Sequence, residues 1–296
     1  LPPDVYDQVA ADPNISIEEK YPGSVHMLYF NMAEGGSKHP AIDDPVVREA
    51  IDYAIDKEQI VEVILLGHGV TCPTNWACGP YYEATGELNP ELVVYPQDLE
   101  EANQLLEDAG YVDSDGDGIR ETPDGEPMEL RLYYQVELPS HLALADLLKD
   151  WLNQIGIAVS VEAQEYGTWT SLVQGDRDFD VALGFEPPDV DAASMDLEWS
   201  CWSAEAGMAG LNRSGYCNPE SDDMVYAYWF ATDKEEGQQA MWEAQAMKYN
   251  DRPKIDLAGQ MGIQAWRHDK FDFPLGGCDI SAGVWDYPTI LDAEVK

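Results

Sequence analysis

Between residues 128 and 184 the spacing of apolar side chains changes period twice, and that change limits what the chain can become. Met128, Leu130, Leu132 and Tyr134 recur every second residue, as on a strand. Over 140–154 the recurrence lengthens to three and four residues, through Leu144, Leu147, Leu148, Trp151 and Leu152, until Gly156 stops the helix. Alternation resumes over 157–161, and the segment DFDVALG at 178–184 reads as a third strand. A strand, a helix and a strand in that order predict parallel α/β packing, because the helix folds back over the sheet by a right-handed crossover.

A second stretch, 29–69, is built from a strand, a loop and two short capped helices. Asp44 suits an N-cap, and Pro45 after it occupies the first helical position, where a missing N–H costs nothing. Val47, Ala50, Ile51, Ala54 and Ile55 then share one face. Asp56 with Gln59 restarts the pattern as a capping-box variant, Ile60, Val61, Ile64 and Leu65 form the next face, and Gly67 or Gly69 ends it. Asp98 and Glu101 open a further helix whose face is Ala102, Leu105, Leu106 and Ala109, stopped at Gly110. The first 20 residues read as a connecting strand with loops, 25–32 as an extended run, 70–97 as a Pro-rich irregular excursion, and 221–250 as mostly helical.

The chain of 296 residues carries 57 acidic against 16 basic residues, a net charge of −41. Phosphate contacts need clustered Lys and Arg, so nucleic acid is excluded as a partner, and an anionic membrane surface is disfavoured for the same reason. The charge reads as a solvated acidic surface, suited to a salty medium, or as an attraction for cationic ligands. No apolar run approaches the length of a membrane span, and residues 1–14 lack the basic start and apolar centre of a signal peptide. Five cysteines are consistent with an oxidising compartment. Cys201 with Cys217, and Cys72 with Cys78, bracket short loops as local staples, leaving Cys278 over; spacing alone leaves the connectivity open. No G-x-S-x-G, H-E-x-x-H, Walker loop or strand-linked G-x-G-x-x-G is present, and the five histidines are scattered, so no enzyme is expected.

As a string, 29–69 resembles the signature of the family 5 extracellular solute-binding proteins, the oligopeptide, dipeptide and nickel receptors of ATP-binding-cassette importers. The resemblance rests on Phe30-Asn31, then Asp44-x-x-Val47-Arg48-x-Ala50, then Tyr53-Ala54-Ile55-Asp56-Lys57. It continues through LLEDAGY at 105–111, LNQIGIAVSVE at 152–162, Trp169, DFDVALGF at 178–185 and LNRSGYCNPESDD at 211–223, covering roughly residues 20–265. It implies an α/β fold of the type II periplasmic-binding-protein kind, a mixed sheet flanked by helices. Residues 1–22 would connect from an N-terminal lobe absent from this chain, 23–262 would form a large C-terminal lobe, and 263–296 would return toward the other lobe. The implied function is capture of an oligopeptide or similar small solute between two lobes and delivery to a membrane permease. The implied protein is monomeric and extracellular or periplasmic, secreted or membrane-anchored. The competing class is an extracellular carbohydrate binder or a glycoside or peptide hydrolase, suggested by nine tryptophans and the acid excess.

The sharpest local chemistry is VDSDGDGIRETPDGE at 112–126. Asp113, Asp115 and Asp117 alternate and Gly118 lets the chain turn, the way carboxylates wrap a hard cation such as a structural Ca²⁺. The carbonyl of Ile119 and the side chain of Glu121 or Asp124 would complete the shell; the competing reading is a solvated acidic hairpin. The resemblance places ligand under the loop that follows DFDVALG, where Phe185 is the expected aromatic and Glu186 or Asp189 the acid. It also brings Asn31, Asn212 and Tyr216 to the cleft. Trp76 reads equally as a stacking platform or as core.

Overall fold

The computed structural model describes residues 1–72, 88–92, 95–186, 198–206, 211–272 and 294–295. Its spine is β1 (Ile15–Phe30), a strand of 16 residues, preceded by the short helix α1 (Tyr6–Ala10). With β2 (Gly69–Thr71), β3 (Glu129–Gln135), β4 (Ala158–Gln164), β5 (Val181–Glu186) and β6 (Lys254–Arg267) it makes a six-stranded sheet in the order β2-β6-β1-β5-β3-β4. Only β3 runs parallel to its neighbours β4 and β5; β1 is antiparallel to both β5 and β6. The parallel packing expected from the sequence therefore holds for three strands, and the sheet as a whole is mixed. The N-terminal half of β1 pairs with β6 alone, from Ile15 opposite Arg267 to Lys20 opposite Gly262, a two-stranded ribbon leaving the sheet. The strand of the connecting strand with loops expected over the first 20 residues is the start of β1, at Ile15.

Helices cover both faces. On one lie α2 (Pro45–Ala54), α3 (Lys57–Gln59) with its wider turn Ile60–Ile64, α4 (Leu99–Asp108) and α5 (Pro139–Gln154). Leu28 and Phe30 of β1 point into this side, among Ile42, Ile51, Leu106, Leu148 and Leu183. On the other lie α6 (Tyr166–Thr170), α7 (Cys201–Glu205), α8 (Pro219–Phe230) and α9 (Lys234–Asp251). Met27 and Tyr29 face that way, with Trp169, Phe179, Trp199 and Tyr216. Alternate residues of β1 thus serve two cores, as the strand period requires of a sheet buried on both faces.

Local sequence chemistry accounts for the helix starts. The Asp44 carboxylate accepts from Val46 N at 2.9 Å, Asp56 from Gln59 N at 2.8 Å, and Asp98 from Glu100 N and Glu101 N at 3.1 and 3.0 Å. Gly156, at φ +77°, both turns the chain out of α5 and makes room: a Cβ there would meet Arg120 Cγ at 2.7 Å. β5 begins at Val181, three residues after the start of DFDVALG, because Asp178 and Asp180 are engaged in side-chain bonds. It runs on through Phe185 and Glu186, which belong to the strand and not to a loop.

Candidate cleft edge, buried clasp and acidic loop

Open α/β sheets bind ligands outside the carboxyl ends of their parallel strands, where the chain leaves the sheet and side chains are free to converge. Here those ends are Gln135, Gln164 and Glu186. The edge is open and carries exposed apolar side chains, Val136, Leu142 and Tyr166 at 53%, 52% and 59%, beside the exposed acids Glu137 and Glu165. Tyr166 N donates to Glu137 Oε1 at 2.9 Å, tying the start of α6 to the segment before α5. Phe185 is half-buried at this edge, its ring 4.6 Å from that of His26. Glu186 is paired: Arg213 Nη2 lies 2.9 Å from its Oε1. The Arg213 guanidinium in turn sits 5.9 Å from the centre of the Tyr29 ring. That ring needs Gly184, since a Cβ there would come within 2.4 Å of Tyr29 Cε2. Glu186, at the end of β5, thus carries its own cation.

Asn31, Asn212 and Tyr216 sit at the opposite end of the sheet. Asn31 is 0% exposed; its Nδ2 donates to the carbonyls of Arg177 and Phe179 at 2.8 Å each, and its Oδ1 accepts from Ala33 N at 3.2 Å. Asn212, also 0% exposed, donates to the carbonyls of Ser200 and Tyr216 and accepts from Tyr216 N. Tyr216 donates to Asp251 Oδ2 at 2.7 Å, and burial, with Asp251 adding to it, holds its phenol far above the usual range. Arg177, in the left-handed conformation at φ 54°, donates to the carbonyls of Asn212 and Arg213. These groups bond to one another and to backbone, so the arrangement is a clasp joining β1, the approach to β5 and the 211–216 segment.

A second fastening, centred on the buried Asp180, lies beside it. Asp180 accepts from His39 N at 2.7 Å and from Arg131 N at 2.6 Å, while Arg131 Nη1 reaches Asp178 at 2.6 Å. The hydrogen bond from Arg131 holds the Asp178 carboxyl below the ordinary range. No sequence pattern marks Arg131, Arg177 or Arg213, because each lone arginine finds its partners only across the fold. The two acids of DFD were visible, but their partner was not.

In the acidic loop the carboxylates of Asp113, Asp115, Asp117 and Glu121 all lie within 4.8 Å of one another. Asp113 accepts from Gly116 N and Gly118 N, Asp117 from Ile119 N, and Glu121 from Ser114 N. Between the two acids considered for closing the shell, Glu121 is inside the group and Asp124 is outside it, in the turn closed by Gly125 N to Thr122 O. The loop is anchored by Arg120, which donates to the carbonyls of Tyr111 and Ile155 at 2.7 and 3.0 Å. Cys201 and Cys217 are joined by a disulfide, Cα atoms 4.3 Å apart, as the spacing suggested. Trp76, Asp189 and Cys78 lie outside the described residues, and so does the pairing of Cys72 with Cys78.

A mixed sheet with helices on both faces is an α/β fold, and its family match makes this chain one of the solute-binding class. The family described as bacterial extracellular solute-binding proteins, family 5 Middle, matches residues 1–205, and the chain belongs to that family. The heme-binding protein A of Haemophilus influenzae is 25% identical over 271 residues, 88% of this chain and 44% of that protein. The dipeptide-binding protein of Escherichia coli is 22% identical, over 83% of this chain and 42% of its own length. Among solved structures, the oligopeptide-binding protein AppA of Bacillus subtilis, in complex with a nonapeptide, superposes with a TM-score of 0.77 at 19% identity. It covers 98% of this chain, which covers 54% of it. NikZ of Campylobacter jejuni, in complex with Ni(L-His), gives a TM-score of 0.76 at 22% identity, over 92% of this chain and 52% of that one. The chain spans about half the length of these relatives. Members of the family are extracellular binding proteins, and the α/β lobe expected from the sequence is the fold observed.

Proposed function

We propose that this chain is the ligand-capturing half of an importer receptor. It would take a peptide or similar small solute against the carboxyl edge of β3, β4 and β5 and present it, enclosed by a second lobe, to a membrane permease. The observation that carries the reading is the open apolar edge of Val136, Leu142 and Tyr166 beside Phe185, at the place where α/β sheets bind ligands. Family membership over residues 1–205 supports it, and so do relatives named for dipeptide, heme and nickel–histidine binding. In this reading the β1–β6 ribbon of residues 15–20 and 262–267 leads to the other lobe, near the boundaries at 22 and 262. Closure of two lobes on connecting strands is a hinge motion that excludes water from the ligand. The receptor works as a monomer, exported and either secreted or held at the membrane, and performs no turnover. Peptide is the default ligand. In the whole receptor, calorimetry with a di- to nonapeptide series should give micromolar or tighter binding, lost on Tyr166→Ala with Leu142→Asp. Absence of binding by any peptide sinks the peptide reading; unchanged affinity in the double variant moves the ligand off this edge.

The acidic loop is assigned a structural Ca²⁺, held by Asp113, Asp115, Asp117 and Glu121 with the Ile119 carbonyl. Four carboxylates within 4.8 Å of one another repel unless a cation sits among them, and oxygen-only ligands suit a hard ion. Excess Ca²⁺ against a chelator should raise the unfolding midpoint by several degrees through mass action. The shift should vanish in Asp115→Ala. Equal midpoints in Ca²⁺ and chelator would leave the loop a solvated hairpin.

A further inference from the structure

We propose that His26 and His141 form an acid-sensitive seat for Phe185, so that protonating the pair unlocks the carboxyl edge of the lobe. His26 stands opposite Phe185 across the β1–β5 ladder, and His141 is the third residue of α5. The two imidazoles are 5.5 Å apart, His26 lies tilted over Phe185 at 4.6 Å, and His141 meets that ring edge-on at 6.4 Å. Both histidines are buried, 1% and 0% exposed; the ring nitrogens of His141 have no hydrogen-bond partner among the described residues, and the polar side chain beside His26 is the Gln260 amide. The neutral His141 ring therefore already buries an unanswered N–H, and protonation of either ring would add a second donor and a full charge to a buried site.

Among the described residues no acid packed against the pair offsets that charge. From β6 the neutral Gln260 amide bonds to His26 and favours its charged form, offsetting the cost of burial only in part. From β5, Phe185 faces the rings while Glu186 is paired with Arg213. On α5 the charged residues Asp146, Lys149 and Asp150 are exposed. On β1, Glu18 pairs with Lys20 and Glu19 with His68, in the ribbon. The start of α5 adds the positive end of a helix dipole, a further penalty for a cation at His141. Burial accordingly pushes His26 down to about 4, and burial together with His26 pushes His141 down to about 3. At neutral pH the seat is closed and uncharged. An opened edge regains ordinary imidazoles that titrate near 6.5, so protons favour opening as pH falls below that value. The inference rests on the proposed function only for its consequence, a cleft edge that loosens in acid.

The test is residue-resolved hydrogen exchange on the whole chain, corrected for intrinsic rates. Each ring should favour opening by about 30-fold at pH 5, and the two together by about 10³-fold relative to pH 7.5. That rise should appear at amides of 139–145 and 182–186 and not in α4. His26→Gln with His141→Gln should abolish it, and each single variant should keep about 30-fold; His26→Phe with His141→Leu serves if the amides disturb folding. A wild-type edge that opens no more than α4 in acid overturns the proposal, as does a double variant that opens like the wild type. Neither readout uses a ligand, so failure to bind peptide would leave this result standing.

Discussion

Asn31 ends a strand in a signature that points toward ligand, yet every hydrogen bond of its side chain goes to backbone. It closes β1 onto the carbonyls of Arg177 and Phe179, and its burial leaves no surface for a solute. Removing it strands two buried acceptors and opens a void. Asn31→Ala should therefore cost about 2–4 kcal/mol, read from denaturant midpoints with an unchanged slope. A loss under about 0.5 kcal/mol would match a surface residue and refute the clasp. Phe185 and Glu186 contrast with it, standing at the open end of β5. At this scale residue identity was legible and role was not, because Asn31 and Phe185 were equally conspicuous as letters. Only the direction in which each side chain leaves the sheet separates fastening from contact.

The elements were more legible than their joints. Asp44, Asp56 and Asp98 each cap the helix that their spacing announced, since capping depends on a backbone N–H two or three residues away. Asp44 also accepts from the Tyr111 hydroxyl at 3.0 Å, a bond across 67 positions that no local pattern contains. Asp44→Ala thus removes a cap and a tertiary anchor together, and should cost about 1–2 kcal/mol, more than Asp98→Ala at about 1 kcal/mol. Equal losses would mean that the Tyr111 bond contributes nothing. β5 started late and ran long relative to its apolar pattern, because Asp178 and Asp180 are held by Arg131 and His39 from other elements.

For the molecule as a whole the net charge of −41 is the dominant electrostatic fact. The described ion pairs are few beside 57 acids, so much of the surface carboxylate is answered only by solvent and counterions. Raising salt from about 0.1 to 1 M shortens the screening length from about 10 to 3 Å. The thermal midpoint should climb over that range in NaCl, measured by calorimetry. A midpoint that falls would show that the attractive pairs, such as Arg131 with Asp178 and Arg213 with Glu186, outweigh the repulsion.

Periodicity, caps and the acidic repeat were properties of the sequence by itself, because each is an interaction between residues a few positions apart. They sufficed for the α/β class, the helix starts and the carboxylate loop. The antiparallel placement of β1 between β5 and β6 was decided only in three dimensions, as were the Arg177 clasp, the Glu186–Arg213 pair and the burial of His26 against His141. Those contacts join residues up to hundreds of positions apart, and what selects them is the burial of two faces of one sheet, a condition that no short window of sequence contains.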